Sequence, residues 1–169
     1  MEKKLRLKPE QVIERAAAAV RYAGKRFHEV QFFAEDATRS DFNFLAQVLE
    51  NVIHAGALVV TISDTVGAAV PWEIGRLITE VKNKVRNIEK VKLSIHCHND
   101  LGMATANSLI AVLAGADQVE GTINGIGERA GNASLEEVVM ALYMRQESSG
   151  IDINVDTRKI YQTCRKVEA

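Results

Sequence analysis

"VKLSIHCHNDLGMATANSLIAVLAGA", residues 91–116, changes character halfway along. "VKLSIHCHND" (91–100) reads as a strand that ends in polar residues. Gly102 then opens an apolar pattern of helical spacing over "MATANSLIAVLAGA" (103–116). A strand running straight into a helix is one βα unit, and its junction holds two histidines one residue apart, His96 and His98.

The same unit recurs on both sides. Upstream, "EVQFFAED" (29–36) precedes "SDFNFLAQVLENVIHAG" (40–56), with Ser40 or Asp41 as helix cap and Gly56 as the stop. "ALVVTISDTVG" (57–67) precedes "PWEIGRLITEVKNKV" (71–85), with Pro71 at the helix start. Downstream, "DQVEGTINGIG" (117–127) precedes "SLEEVVMALYMRQ" (134–146), where Ser134 and Glu137 have capping-box spacing. A helix over "QVIERAAAAVRYA" (11–23), with Pro9 in its first turn, comes before all of these. A last helical stretch, "TRKIYQTCRKV" (157–167), follows Asp156 as its cap. The expected fold is α/β: about four parallel βα units preceded by one helix. Runs such as "ALVVTI" suit parallel strands buried on both faces.

Composition sets outer limits. The chain has 169 residues, 47% apolar and 25% charged, which fits one domain with a real core. Its 21 basic and 22 acidic residues leave a net charge of −1, which gives no electrostatic case for nucleic acid or an anionic membrane as partner. No apolar run approaches the roughly 20 residues of a membrane helix. The start, "MEKKLRLKPEQ", lacks the apolar core of a signal peptide. With two cysteines, Cys97 and Cys164, and no secretory signal, the expectation is a reduced cytoplasmic protein.

Every strand ends in polar residues: Glu35-Asp36, Ser63-Asp64-Thr65, His96 to Asp100, and Asn124 with Glu128. The carboxyl ends of parallel strands are where an α/β active site lies, in a barrel or an open sheet. Alternation along a strand puts His96 and His98 on one face, their Cα atoms about 6.5 Å apart. At that spacing two imidazoles can converge on one cation at roughly 2.1 Å. Cys97 faces the opposite way, toward the helix layer. The residues alone equally allow one histidine to face a pocket while the other bonds a backbone carbonyl. His28 and His54 lie at or near helix ends, where a partly cationic side chain is favourable, and are expected at the surface.

"NGIGERAGNASLEEVVMAL" (124–142) adds a glycine-rich βα loop carrying Glu128, Arg129 and Asn132. Taken with "HCHNDLGMATANS" (96–108), "FFAEDATRSD" (32–41) and "SDTVGAAVPWE" (63–73), it closely resembles the 2-isopropylmalate synthases. These belong to a superfamily of metal-dependent acyltransferases and lyases built on a (β/α)8 TIM barrel. The resemblance runs from the first helix to about Gln146, and the citramalate and homocitrate synthases are its nearest alternatives.

The resemblance implies that His96 and His98 ligate a divalent metal ion (Mn, Mg or Zn), with the amide oxygen of Asn132 as a weaker ligand. It implies that Glu35 and Thr65 line a 2-oxo acid pocket, and that Glu128 and Arg129 stand beside the metal and acetyl-CoA as catalytic residues. The implied reaction is condensation of acetyl-CoA with 2-oxoisovalerate to 2-isopropylmalate, the first committed step of leucine biosynthesis.

The family's remaining ligand, an aspartate in an Arg-Asp-Gly motif on the first barrel strand, has no counterpart in this sequence. Four strands, against about 250 residues for a whole barrel, read as a partial TIM barrel. Residues 1–150 are expected to form its C-terminal half, and 151–169 a terminal helical segment leading toward further C-terminal regions. Met1 then corresponds to an internal methionine of a longer protein, and the chain alone is expected to be weakly active or a non-catalytic structural fragment. A half-barrel is expected to present two bare edges and an exposed apolar inner face, inviting a homodimer or larger assembly.

Overall fold

A computed structural model describes residues 6–168. Helix α1 (Pro9–Gly24) precedes four units, β1 (Gln31–Ala34) with α2 (Phe42–His54), β2 (Val59–Asp64) with α3 (Pro71–Lys84), β3 (Lys92–Cys97) with α4 (Ala104–Leu113), and β4 (Gln118–Glu120) with α5 (Leu135–Met144). Two further helices follow, α6 (Gln146–Ser149) and α7 (Ile160–Glu168). The strands form one parallel sheet in the order β1-β2-β3-β4. Sequential parallel strands joined by helices make up a partial α/β barrel wall, as the βα alternation predicts.

Helix starts follow local chemistry. Pro9 and Pro71 open α1 and α3, where a missing N–H costs nothing. Of the two cap candidates for α2, Asp41 does the capping: its carboxylate accepts from the Phe44 N–H at 3.0 Å. Asp156 caps the short turn leading into α7 by accepting from the Arg158 N–H. The capping box expected at α5 does not form. Ser134 makes no side-chain cap, and the Glu137 carboxylate instead accepts from the Thr105 hydroxyl on α4 at 2.6 Å. A cross-helix partner has outcompeted the local one.

The core lies between sheet and helices. Val60, Ile62, Leu93 and Ile95 of the strands are fully buried against Leu49 and Val52 of α2 and Ile74, Ile78 and Val81 of α3. Burial of each such side chain contributes about 1.5–3 kcal/mol. The opposite face of the sheet corrects an expectation: it is largely polar. Gln31, Thr61, Ser94, Gln118 and Glu120 meet there in one hydrogen-bond network. A flat sheet would hold β1 and β4 about 14 Å apart, further than two side chains and one hydrogen bond reach. The direct bond from Gln31 to Glu120 therefore requires the sheet to curl toward this face. Among the described residues, no helix is long and apolar enough to cross a membrane.

Candidate metal centre

β3 pairs with β2 through its whole length, Ser63 opposite His96 and Asp64 opposite Cys97. That places His96 at the carboxyl end of a fully supported strand. His98 lies just beyond, where it forms an antiparallel bridge with Asn132. The loop carrying Asn132 is folded back onto the strand end by two backbone bonds, Asn99 N–H to Gly131 O and Ala133 N–H to Cys97 O, both 2.9 Å. Glycines permit this approach. Gly131 has φ +89°, and a Cβ there would meet the Gly125 oxygen at 2.1 Å. At Gly127 a Cβ would press on the Asn132 side chain itself.

The two imidazoles meet edge to face, ring centroids 5.1 Å apart, so alternation predicted their shared face correctly. Among the described residues, five buried side-chain atoms have no hydrogen-bond partner. Three of them are His96 Nδ1, His98 Nδ1 and Asn132 Oδ1. Asn132 Nδ2 donates to the Ile126 carbonyl at 3.1 Å, which fixes the amide and leaves its oxygen unused. Unpaired buried polar atoms are costly and rare. Two imidazole nitrogens and one amide oxygen orphaned at one strand end are the donor set a divalent cation takes up. Burial above all, helped by His96 and Arg129, holds His98 below the ordinary imidazole value, which keeps it in the neutral form that ligates. Among the described residues no three His, Cys, Asp or Glu side chains form a metal-sized group, so the set stands as two imidazoles and an amide.

The other strand-end polar residues are mostly occupied. Thr65 Oγ1 accepts from the Asp36 N–H at 2.8 Å. Asp36 pairs with Arg39 through both carboxylate oxygens. Asp64 is buried and accepts from the Thr38 hydroxyl and the Ala69 N–H. Asn99 Oδ1 accepts from the Ala104 N–H at the start of α4. Asn124 Nδ2 reaches the Cys164 carbonyl on α7. Glu35 is exposed one residue past β1.

Arg129 has a role that the sequence did not indicate. Its guanidinium donates to both carboxylate oxygens of Asp100, at 2.8 and 3.0 Å, and to the Thr65 carbonyl at 2.8 Å. One side chain thus ties together the loops after β2, β3 and β4. The Arg129 guanidinium holds the Asp100 carboxyl below the usual carboxylate range. Glu128 lies 3.6 Å from Arg129 with 82% of its side chain exposed.

Cys97 faces the helix layer as alternation predicts: it is fully buried, and burial above all pushes its thiol up to about 12. His28 and His54 are exposed, away from the pair. Two functional candidates went unseen in the sequence. Asp100 was visible only as part of a polar junction, and its partner lies 29 residues away. Glu120 sits at an inward position of the half-buried strand β4, where alternation with Gln118 is the one signal that marks it.

This arrangement defines an α/β-barrel protein segment with a strand-end site suited to a divalent cation. The chain belongs to the HMGL-like family, whose pattern matches residues 1–167. It is 53% identical over 167 residues to the 2-isopropylmalate synthase of Dictyoglomus turgidum, covering 99% of this chain and 33% of that protein. It is 62% identical over 144 residues to the 2-isopropylmalate synthase of Oceanobacillus iheyensis, covering 85% of this chain and 28% of that protein. The chain therefore spans about a third of the length of the curated relatives it matches. Among solved structures, the HMG-CoA lyase of Bacillus subtilis superposes with a TM-score of 0.77 at 19% identity, covering 99% of this chain and 58% of that one. That likeness shows the fold.

Proposed function

We propose that the chain supplies half of the active site of an acyltransferase of the 2-isopropylmalate synthase type. Residues 1–150 would form the C-terminal half of the catalytic barrel and 151–169 the terminal segment. The observation that carries this reading is three orphaned donor atoms at one strand end of a chain that is 53% identical over 167 residues to a 2-isopropylmalate synthase.

His96, His98 and Asn132 would hold a divalent cation, Mn, Mg or Zn, which when bound would polarise the keto group of a 2-oxo acid. The chain's own residues then do the rest. Neutral His98 keeps its lone pair available, and the Ile126 carbonyl orients the Asn132 amide. Thr65 accepts a backbone bond and keeps its hydroxyl proton to donate toward a substrate carboxylate. Glu35, on the adjacent strand end, lines the same pocket. Arg129 holds the three loops at fixed spacing, and exposed Glu128 is the carboxylate in that loop able to accept a proton from the methyl of acetyl-CoA. The enolate adds to the keto carbon of 2-oxoisovalerate, the keto oxygen takes up a proton from solvent to become the hydroxyl, and water cleaves the thioester. The products are 2-isopropylmalate and free CoA.

The donor set lacks a carboxylate among the described residues, so the chain by itself is proposed to turn over weakly or not at all. The test is thiol release from acetyl-CoA with 2-oxoisovalerate, run on this chain and on the protein carrying the remaining barrel strands. Activity in the longer protein that is lost in His96→Ala and His98→Ala supports the reading. Activity that survives both substitutions overturns it.

A further inference from the structure

The carboxylate of Glu120 takes no part in the function proposed above, yet it is the most connected side chain on the inner face. Its Oε1 accepts from Gln31 Nε2 on β1 at 2.5 Å, Thr61 Oγ1 on β2 at 2.9 Å and Ser94 Oγ on β3 at 2.5 Å, with Gln118 Nε2 of its own strand at 3.5 Å. One oxygen therefore joins all four strands. Thr61 and Ser94 are fully buried, so their two bonds to Glu120 are shielded from water, whereas the bond from Gln31 lies at the exposed side of the face.

Its place in the register matters as much. Glu120 is the β-partner of His96, and Ser94, which it bonds, lies two residues before His96 on the same face of β3. On the other side, Gly121 follows directly, and a Cβ there would meet the Ala133 oxygen at 2.3 Å. Thr122 N–H bonds that same oxygen at 3.0 Å, so the end of β4 is locked to the residue after Asn132. A single carboxylate anchors the strand carrying His96 and the strand against which the Asn132 loop is seated.

We propose that Glu120 is a positioning residue of the metal site: its carboxylate hub fixes the inner layer beneath the imidazoles and so sets the separation of His96, His98 and Asn132. The inference rests on the metal-binding reading above. Removal of the hub lets β3 and β4 shift relative to one another, and a site built from three weak or neutral donors has no surplus affinity to absorb that. Second-layer supports of metal ligands typically matter by about 10–100-fold in affinity.

The test compares Glu120→Ala, Glu120→Gln and Val81→Ala with the unsubstituted chain. Val81 is fully buried on α3, and its truncation controls for lost stability in the outer layer. Co²⁺ titration reads affinity and, through the visible absorption bands, ligand geometry. Imidazole ¹⁵N–¹H resonances of the metal-free protein read the rings directly. Glu120→Ala is expected to weaken Co²⁺ binding at least about tenfold, to change the visible spectrum and to shift the His96 ring signals. Glu120→Gln keeps an acceptor oxygen in place and is expected to restore most of each. Val81→Ala is expected to lower the melting temperature without moving either spectrum. Unchanged His96 resonances in a folded Glu120→Ala protein would overturn the proposal, as would an effect equal to that of Val81→Ala. If the unsubstituted chain binds no Co²⁺, the metal reading fails, while the ring resonances still decide whether Glu120 positions His96.

Discussion

At the scale of single residues, what separates function from scaffolding is whether a polar atom already has a partner. Asp36, Asp64, Asn99 and Asp100 all stand at strand ends and all are engaged in building loops. His96, His98 and Asn132 each keep one buried atom unpaired. Asn132→Ala is therefore expected to lower Mn²⁺ affinity about tenfold or more, and Asn132→Asp to raise it by adding charge, both measured by isothermal titration calorimetry. Arg129 is expected to matter through its three loop contacts. In Arg129→Lys the bidentate pair with Asp100 is lost, because an ammonium is a point donor. Faster amide hydrogen exchange at residues 99–102 and 126–131 is the expected outcome, with the helical layer unchanged.

At the scale of elements, the βα loops are held by backbone geometry that only glycine meets at low cost. Gly131 combines φ +89° with a forbidden approach to the Gly125 oxygen, whereas Gly102 has φ +69° and open space around it. Gly131→Ala is expected to cost about 1–3 kcal/mol plus displacement of the Asn132 loop. Gly102→Ala is expected to cost only the left-handed backbone penalty of about 1–2 kcal/mol. Urea unfolding measures both, and metal affinity should fall in the first variant alone. The failed capping box at α5 belongs to this scale too. Local spacing put Ser134 and Glu137 in register, but α4 lies alongside and offers the Thr105 hydroxyl.

At the scale of the whole molecule, the sheet has two edges, β1 and β4, without a further strand among the described residues. Such edges favour pairing with another chain. Self-association is the expected outcome, seen by sedimentation velocity as a concentration-dependent shift. Stability should also depend on pH through Glu50, whose carboxylate bonds Arg86 at 2.8 Å between α2 and the loop after α3. The Arg86 side chain, chiefly by hydrogen bonding, holds the Glu50 carboxyl below its usual value in the folded state. This stabilisation is present above the unfolded-state value and is lost as pH falls through the folded one. Between neutral pH and about pH 3, Glu50→Gln should lose less melting temperature than the unsubstituted chain.

The βα alternation, the helix starts at Pro9 and Pro71, the start of α2 to within Ser40 or Asp41, the shared face of the histidine pair and the outward turn of Cys97 were all legible in the sequence. Each depends on the period of the chain or on a cap a few residues away, so local pattern suffices. The polar inner face, the Arg129–Asp100 tie and the Glu120 hub were not legible. Each joins residues 26 to 89 positions apart, and which donors meet which carboxylate is settled only when the sheet curls and the loops close over its end. Sequence by itself determined which residues are available for chemistry. Tertiary structure decided which of them are used up in holding the others in place, because a hydrogen bond satisfied across strands leaves nothing for a ligand.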